Sequence, residues 1–215
     1  TARPYAYLDD APLEERRTQA VASRRWLDPE SAAEMGRLDP AAIAAVREEA
    51  WPEAGSADEL HDALMSLGVV TGEEGGQSGW STLLEALVVA RRAARLSAAG
   101  REFWVAAEML PMLAAVYAHG RLDPDIDAPP EHVARAWTRE EAVVELMRLR
   151  LQGLGPVAVG PMAASLGLAP GEVDTALAAL ESEGFVLRGQ FTPSEGDRAK
   201  VPGDGGHEWC ERRLL

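Results

Sequence analysis

The sequence predicts a mainly α chain with small β-hairpins, built as two similar units in tandem. Three observations carry this. Thr138 to Phe191 reads helix, short strand, helix, helix and hairpin. Residues 39 to 107 repeat that grammar as three helices and a hairpin, with no sequence identity between the halves. Between them, Asp123-Pro124-Asp125-Ile126-Asp127-Ala128-Pro129-Pro130 has the proline-rich, acidic character of a linker. Helix, strand, two helices and a hairpin is the order of a winged helix, so the expected architecture is tandem winged-helix units. The division is 1–38 as a helical lead-in that docks on a neighbouring domain, 39–117 as unit 1, 118–137 as linker, and 138–215 as unit 2 with the start of a following helix.

Taken in order, Pro4 to Leu8 reads as a short extended or turn segment, and Asp10 caps a helix from Ala11 to about Trp26. Its apolar stripe, Leu13, Ala20 and Val21, is narrow, and Arg16, Arg17, Arg24 and Arg25 lie elsewhere on it, which suits docking. Asp28-Pro29-Glu30 starts a short helix that Gly36 ends. In unit 1, Asp39-Pro40 opens a helix, with aspartate as cap and proline in the first turn. Ser56-Ala57-Asp58-Glu59 is a capping box for a second helix with stripe Leu60, Leu64 and Leu67. Thr71 to Gly79 reads as a glycine-rich loop, and a third helix carries Trp80, Leu83, Leu84, Leu87 and Val88. Ala94 to Ser97 and Glu102 to Ala106 flank Ala98-Ala99-Gly100 as a hairpin. Glu108 to Tyr117 is a further helix with Met109, Leu110 and Leu113 inward.

Unit 2 opens on a second capping box, Thr138-Arg139-Glu140-Glu141, ahead of Val143, Leu146, Met147 and Leu151 at helical spacing. Gly155-Pro156 stops that helix, and Val157-Ala158-Val159 is a short edge strand. Pro161 to Leu166 is a second helix ended by Gly167. Pro170 opens a third, with Val173, Leu177 and Leu180 on one face and Gly184 after it. Phe185 to Phe191 alternates like a strand. Glu208 to Leu215 reads as a strand end running into a helix, which suggests a piece of a longer protein.

The 215 residues carry 21 Lys+Arg against 35 Asp+Glu, a net charge of −14. That is a poor global match to a phosphate backbone, so nucleic-acid binding must rest on local patches. A single cysteine, Cys210, excludes an internal disulfide framework and a zinc site built mainly from cysteines. With no apolar run near the roughly 20 residues of a membrane span, the expected location is cytoplasmic and no membrane partner is expected. Twenty of the 21 basic residues are arginine, which with abundant Ala and Gly suits a GC-rich genome.

Few residues point to chemistry. Asp58-Glu59-Leu60-His61 matches the D-E-x-H string with which helicase ATPases hold magnesium and water, but it starts a helix where that motif must end a buried strand. No phosphate loop exists, since the single lysine is Lys200. His61, His119, His132 and His207 show no metal-binding spacing and read as exposed or capping residues. Ser78 lacks the spacing and the strand of a nucleophile elbow. Carboxylate pairs such as Asp9-Asp10 and Glu140-Glu141 sit at helix starts, where they suit the dipole. No catalytic residue and no metal site are expected in this chain.

The basic patch says more. Val89 to Arg101 holds Arg91, Arg92, Arg95 and Arg101 and no acid, across a helix end and the wing after it. A wing lies along a nucleic-acid backbone, so arginine there suits phosphate contact. The bland alternative is that these arginines stabilise a helix end or pair with local glutamates. Trp80 and Trp104 have the flat faces to stack bases, but their spacing is that of core residues. The third helix of unit 2 carries Glu172, Asp174, Glu181 and Glu183 and no base, which argues against groove reading there. Arg188, Arg198 and Lys200 follow it, with Arg188 a candidate contact.

Several strings resemble the large helicase-related (Lhr) family of bacterial superfamily 2 DNA helicases. They are Pro4 to Arg17 (PYAYLDDAPLEERR), Val46 to Pro52 (VREEAWP), Ala57 to Asp62 (ADELHD), Trp104 to Glu108 (WVAAE), Glu183 to Phe191 (EGFVLRGQF) and Glu208 to Leu215 (EWCERRLL). The resemblance implies a segment after the ATPase core, at the start of the C-terminal region. It implies a parent that couples ATP hydrolysis to 3′-to-5′ movement on single-stranded DNA in DNA repair. ATP and magnesium are then expected for the parent and no cofactor for this segment. Expected partners are single-stranded or tailed DNA, other domains of the same polypeptide, and a further copy of the chain. The expected role is a non-catalytic DNA-binding or domain-docking segment. The alternatives are an acidic interaction scaffold, or part of a tandem winged-helix DNA glycosylase.

Overall fold

The computed structural model describes residues 39–192 and 207–215. The chain divides into two units, 1–37 and 38–215, and only the second is described. The expected lead-in helices, Arg198 and Lys200 lie outside the described residues.

The described part mixes helices with two small antiparallel sheets. Helix α1 (Pro40–Ala50) starts where Asp39 accepts from the Ala41 N–H. Helix α2 (Ala57–Leu67) starts at Ser56, whose hydroxyl accepts from the Glu59 N–H, and Glu59 accepts in return from Gly55. Strand β1 (Val70–Thr71) runs straight into α3 (Gly72–Gln77). After α4 (Ser81–Val89) come β2 (Ala93–Ala98) and β3 (Arg101–Ala106), joined by Ala99 and Gly100. Both turn residues have positive φ, 50° and 71°, as a tight hairpin with right-handed strand twist requires.

The expected glycine-rich loop is thus largely helix α3. Thr71 accepts from the Glu74 N–H at 3.1 Å and Glu74 accepts from the Thr71 N–H at 2.8 Å. This reciprocal cap, with the tertiary anchor of Glu74 described below, offsets the poor helix propensity of Gly72, Gly75 and Gly76. The correction changes how the halves correspond. The three helices of the first pattern are α2, α3 and α4, and α1 is an addition in front.

A 3₁₀ turn (Ala107–Met109) leads into α5 (Leu110–Val116), whose buried residues are Met112, Leu113 and Val116. Met109 and Leu110, expected inward, are only partly buried. Within the expected linker, β4 (Arg121–Asp123) pairs with β2 and Ile126 is buried, followed by the single turn α6 (Pro130–Val133). The first sheet has the order β1-β3-β2-β4.

Helix α7 (Arg139–Gln152) carries the Thr138/Glu141 capping box as expected, and ends at Gly153. A Cβ at Gly153 would collide with Leu67 Cδ2, so a glycine there lets the end of α7 meet the end of α2. Then follow β5 (Val157–Ala158), α8 (Val159–Leu166), α9 (Pro170–Ser182), β6 (Val186–Gly189) and β7 (Glu208–Glu211), with a closing 3₁₀ turn (Arg212–Leu214). The second sheet has the order β5-β7-β6. Helix–strand–helix–helix–strand–strand therefore occurs twice, and each time the third strand lies between the first two.

One apolar core runs across both patterns. Phe103 and Val105 from the first, with Met112 and Leu113 from α5, pack with Leu146, Met147, Leu166 and Leu177 from the second. Tyr117 stacks on Phe103 with ring centroids 5.4 Å apart and donates to the Leu166 carbonyl at 2.8 Å. Burial pushes the Tyr117 hydroxyl pKa well above its ordinary value. A smaller core, Leu60, Leu64, Leu67, Trp80, Leu84 and Leu87, fills the first pattern.

Candidate nucleic-acid interface

The candidate surface is built from α4 and the β2–β3 hairpin. Helix α4 buries Leu84 and Leu87 and exposes Ser81, Thr82, Glu85, Ala86 and Val89, so its outer side bears a single charge. Two arginines follow. Arg91 has φ +58° and donates to the Asp125 carbonyl at 3.0 Å. Arg92 pairs with Asp58, and that hydrogen bond holds the aspartate below its ordinary carboxylate range. Asp58 is 84% exposed and the Arg92 side chain 40%, so this is a solvent-screened surface pair, open to competition from another anion.

On the hairpin, Arg95 opposes Trp104, and its guanidinium sits 5.1 Å from the indole centroid and 3.9 Å from Glu102. Arg101 opposes Ala98. Successive strand residues point to opposite faces, so in this register Arg95 and Arg101 lie on opposite faces. Arg101 belongs with the hairpin tip that meets Gly167: a Cβ built on that glycine would lie 2.7 Å from Ala99 Cβ and 3.5 Å from Arg101 Cγ. The register thus separates Arg101 from Arg95, while Arg91 and Arg92 lie in the turn between α4 and β2 and meet Asp125 and Asp58.

Arg188 lies on β6 in the other sheet, 3.8 Å from Glu181 and over the ring of Trp209 at 5.5 Å. It is not part of the α4 surface. Helix α9 does not present four unpaired acids. Glu172 meets Arg139 at 2.7 Å and Glu183 meets Arg148 at 2.6 Å, while Glu181 lies near Arg188. The Arg139 hydrogen bond keeps Glu172 below its ordinary range. The charge of α9 is therefore largely cancelled by arginines that sequence spacing did not link to it.

Both tryptophans pack as core residues. Trp80 is 3% exposed and stacks on Trp51 with centroids 5.9 Å apart. Trp104 is half-buried, with Gly75 against its edge. His61, expected exposed or capping, is buried at 8% exposure and bonds Glu108 at 3.0 Å. Ser78 accepts from the Trp51 indole N–H at 3.0 Å, a packing role.

One interior link has no signal in the sequence. Arg150, 1% exposed, donates to Glu74 at 2.5 Å and to the Val69 carbonyl at 2.8 Å, tying α7 to α3 and β1. A buried arginine in an otherwise helical pattern gives no sign of its partner. Beside this link lies an open cleft of about 810 Å³ lined by residues including Arg47, Trp51, Glu74, Gln77 and Gly155.

Among the described residues, no group of three or more His, Cys, Asp or Glu side chains is placed to hold a metal ion. None of their helices is long and apolar enough to cross a membrane. They also lack a phosphate loop.

Two comparisons bear on the surface. The chain is 27% identical over 229 aligned residues to a protein of Mycolicibacterium smegmatis (strain ATCC 700084 / mc(2)155) named "Lhr helicase/ probable uracil glycosylase". The match covers 98% of this chain and 14% of that protein. A family model described as "DNA glycosylase AlkZ-like" matches residues 5–205. With that match running over nearly all of its length, the chain belongs to the AlkZ-like DNA glycosylase family.

Proposed function

We propose that residues 39–215 are a tandem winged-helix, DNA-binding segment of a DNA-repair protein of Lhr type. The observation that carries this is the doubled order of helix, strand, helix, helix and hairpin with the third strand in the middle, in a chain of a DNA glycosylase family. In such units the third helix and the hairpin form the nucleic-acid face. In the first unit those elements are α4 and β2–β3, where the outer helix side is nearly uncharged and Arg91, Arg92 and Arg95 adjoin it. Phosphates would replace Asp58 at Arg92 and hydrogen-bond the exposed guanidinium of Arg95. The second unit, packed on the same core, braces the first.

ATP hydrolysis, with its magnesium, and 3′-to-5′ movement would belong to other parts of a longer helicase acting in the cytoplasm. Fluorescence anisotropy of the 215-residue chain with single-stranded and tailed DNA at two salt concentrations tests the reading. Binding that weakens steeply with salt is expected. No binding even at low salt would instead favour the acidic scaffold.

A second reading, part of a DNA glycosylase, is favoured by the family match. Incubation with a uracil-containing oligonucleotide, followed by alkaline cleavage at abasic sites, tests it. Strand scission that scales with protein concentration would support base excision by this chain, and intact strands would leave excision to other parts of the parent.

A further inference from the structure

Beside Arg95 the surface dips into a depression of about 370 Å³. Val88, Val89, Pro124 and Trp104 line it as apolar walls, and Glu85, Asp123 and Arg95 complete the rim. Val89 is 85% exposed, the most exposed large hydrophobic among the described residues. An exposed valine on the last turn of a helix costs solvation and does nothing for the core, which buries Leu84 and Leu87 of the same helix. The two carboxylates are also unused. Neither Glu85 nor Asp123 forms a side-chain hydrogen bond or ion pair among the described residues, although Asp123 lies directly across the strands from Arg95. The depression therefore combines apolar walls, two carboxylates without a partner among the described residues and one cation, with Arg91 and Arg92 next in the chain after the helix.

We propose that this depression binds one unstacked nucleobase carrying an exocyclic amino group, an assignment that rests on the DNA-binding reading above. The base would lie against Val88, Val89 and Pro124, beside the Trp104 ring that the Arg95 guanidinium overlies at 5.1 Å, and these walls would replace the faces of the neighbouring bases in a stacked strand. Its amino hydrogens would be accepted by Glu85 and Asp123, as carboxylates accept from the cytosine amino group. Arg95 would hold the adjoining phosphate. A thymine or uracil presents carbonyl oxygens where the cytosine amino group would be, and two carboxylates repel them. The site thus selects by the donor pattern of the base, at a position that net charge alone would read as hostile to DNA.

The test compares oligo-dC and oligo-dT of equal length, about 15 nucleotides and fluorescein-labelled, binding to the whole chain near neutral pH and at low salt; the length lies within the range that a single-strand groove covers. Wild type is expected to bind oligo-dC about tenfold more tightly, within the discrimination of a good base contact. Glu85→Gln with Asp123→Asn removes two negative charges and is expected to tighten binding to both strands while the dC:dT ratio falls towards one. Val89→Ser is expected to weaken both strands and leave the preference for oligo-dC. Equal binding of the two oligonucleotides by wild type, or a ratio unchanged in the double variant, overturns the base site and leaves the DNA-binding reading standing. Binding of neither overturns both.

Discussion

Arg150 on α7 donates to Glu74 on α3 across 2.5 Å, and Glu74 in turn closes the capping box of Thr71. One carboxylate therefore completes a local helix start and anchors a buried arginine 76 residues away in the chain. The Nε of Arg150 has no partner among the described residues, so Glu74 and the Val69 carbonyl are its polar anchors. Removing Glu74 leaves a buried, unpaired guanidinium, which costs about 3–5 kcal/mol. Glu74→Ala is accordingly expected to lower the urea midpoint strongly. The pair Glu74→Leu with Arg150→Met is expected to be more stable than Glu74→Ala alone. Urea denaturation of the three proteins checks both statements.

Gly167 caps α8 at φ +63° and faces the hairpin tip at Ala99, itself at positive φ. Gly167→Ala forces a β-carbon to within 2.7 Å of Ala99 and places alanine in a left-handed conformation. A loss of about 1–2 kcal/mol from the backbone alone is expected, with more from displacing the hairpin. A thermal melt shows it as a drop in Tm of several degrees.

The separation of Arg101 from Arg95 predicts an asymmetry in salt response. Arg91→Ala with Arg92→Ala and Arg95→Ala should flatten the slope of log affinity against log salt for single-stranded DNA by about 2. Arg101→Ala, on the opposite face of the hairpin, should leave that slope unchanged. Equal effects from Arg101 and from any one of the three would refute the division. The readout is anisotropy over a salt series.

Acid stability carries a signature of Glu172. Its hydrogen bond to Arg139 lowers the carboxyl pKa below the ordinary 4.5. The folded pKa is depressed, so the stabilisation is present above the unfolded value and disappears as pH falls through the folded one. Glu172→Gln should therefore be less stable than wild type at neutral pH, by a few tenths of a kcal/mol for a pair this exposed, and indistinguishable from it at a pH of about 2. Denaturant titrations at the two pH values measure the difference.

Much of the local structure was legible because its determinants lie three or four residues apart. Asp39 before Pro40, Ser56 before Glu59 and Thr138 before Glu141 each place an acceptor under a free N–H, and each starts a helix where expected. Helix α3 was equally legible in Thr71 and Glu74, but its glycines pointed to a loop. Propensity gave way there because Glu74 also has a buried tertiary partner.

The candidate surface divided along the same line. That Arg91, Arg92, Arg95 and Arg101 cluster between the end of a helix and a hairpin was determined by the sequence alone. That Arg95 and Arg101 lie on opposite faces was decided by the hairpin register, since strand side chains alternate between faces. Which acids on α9 remain free was decided by Arg139 and Arg148, 33 and 35 residues from their partners. Sequence spacing reports hydrogen bonds along one helix or strand. The charge that a surface presents depends on which distant side chains the core brings within ion-pair distance, and only the tertiary structure supplies that.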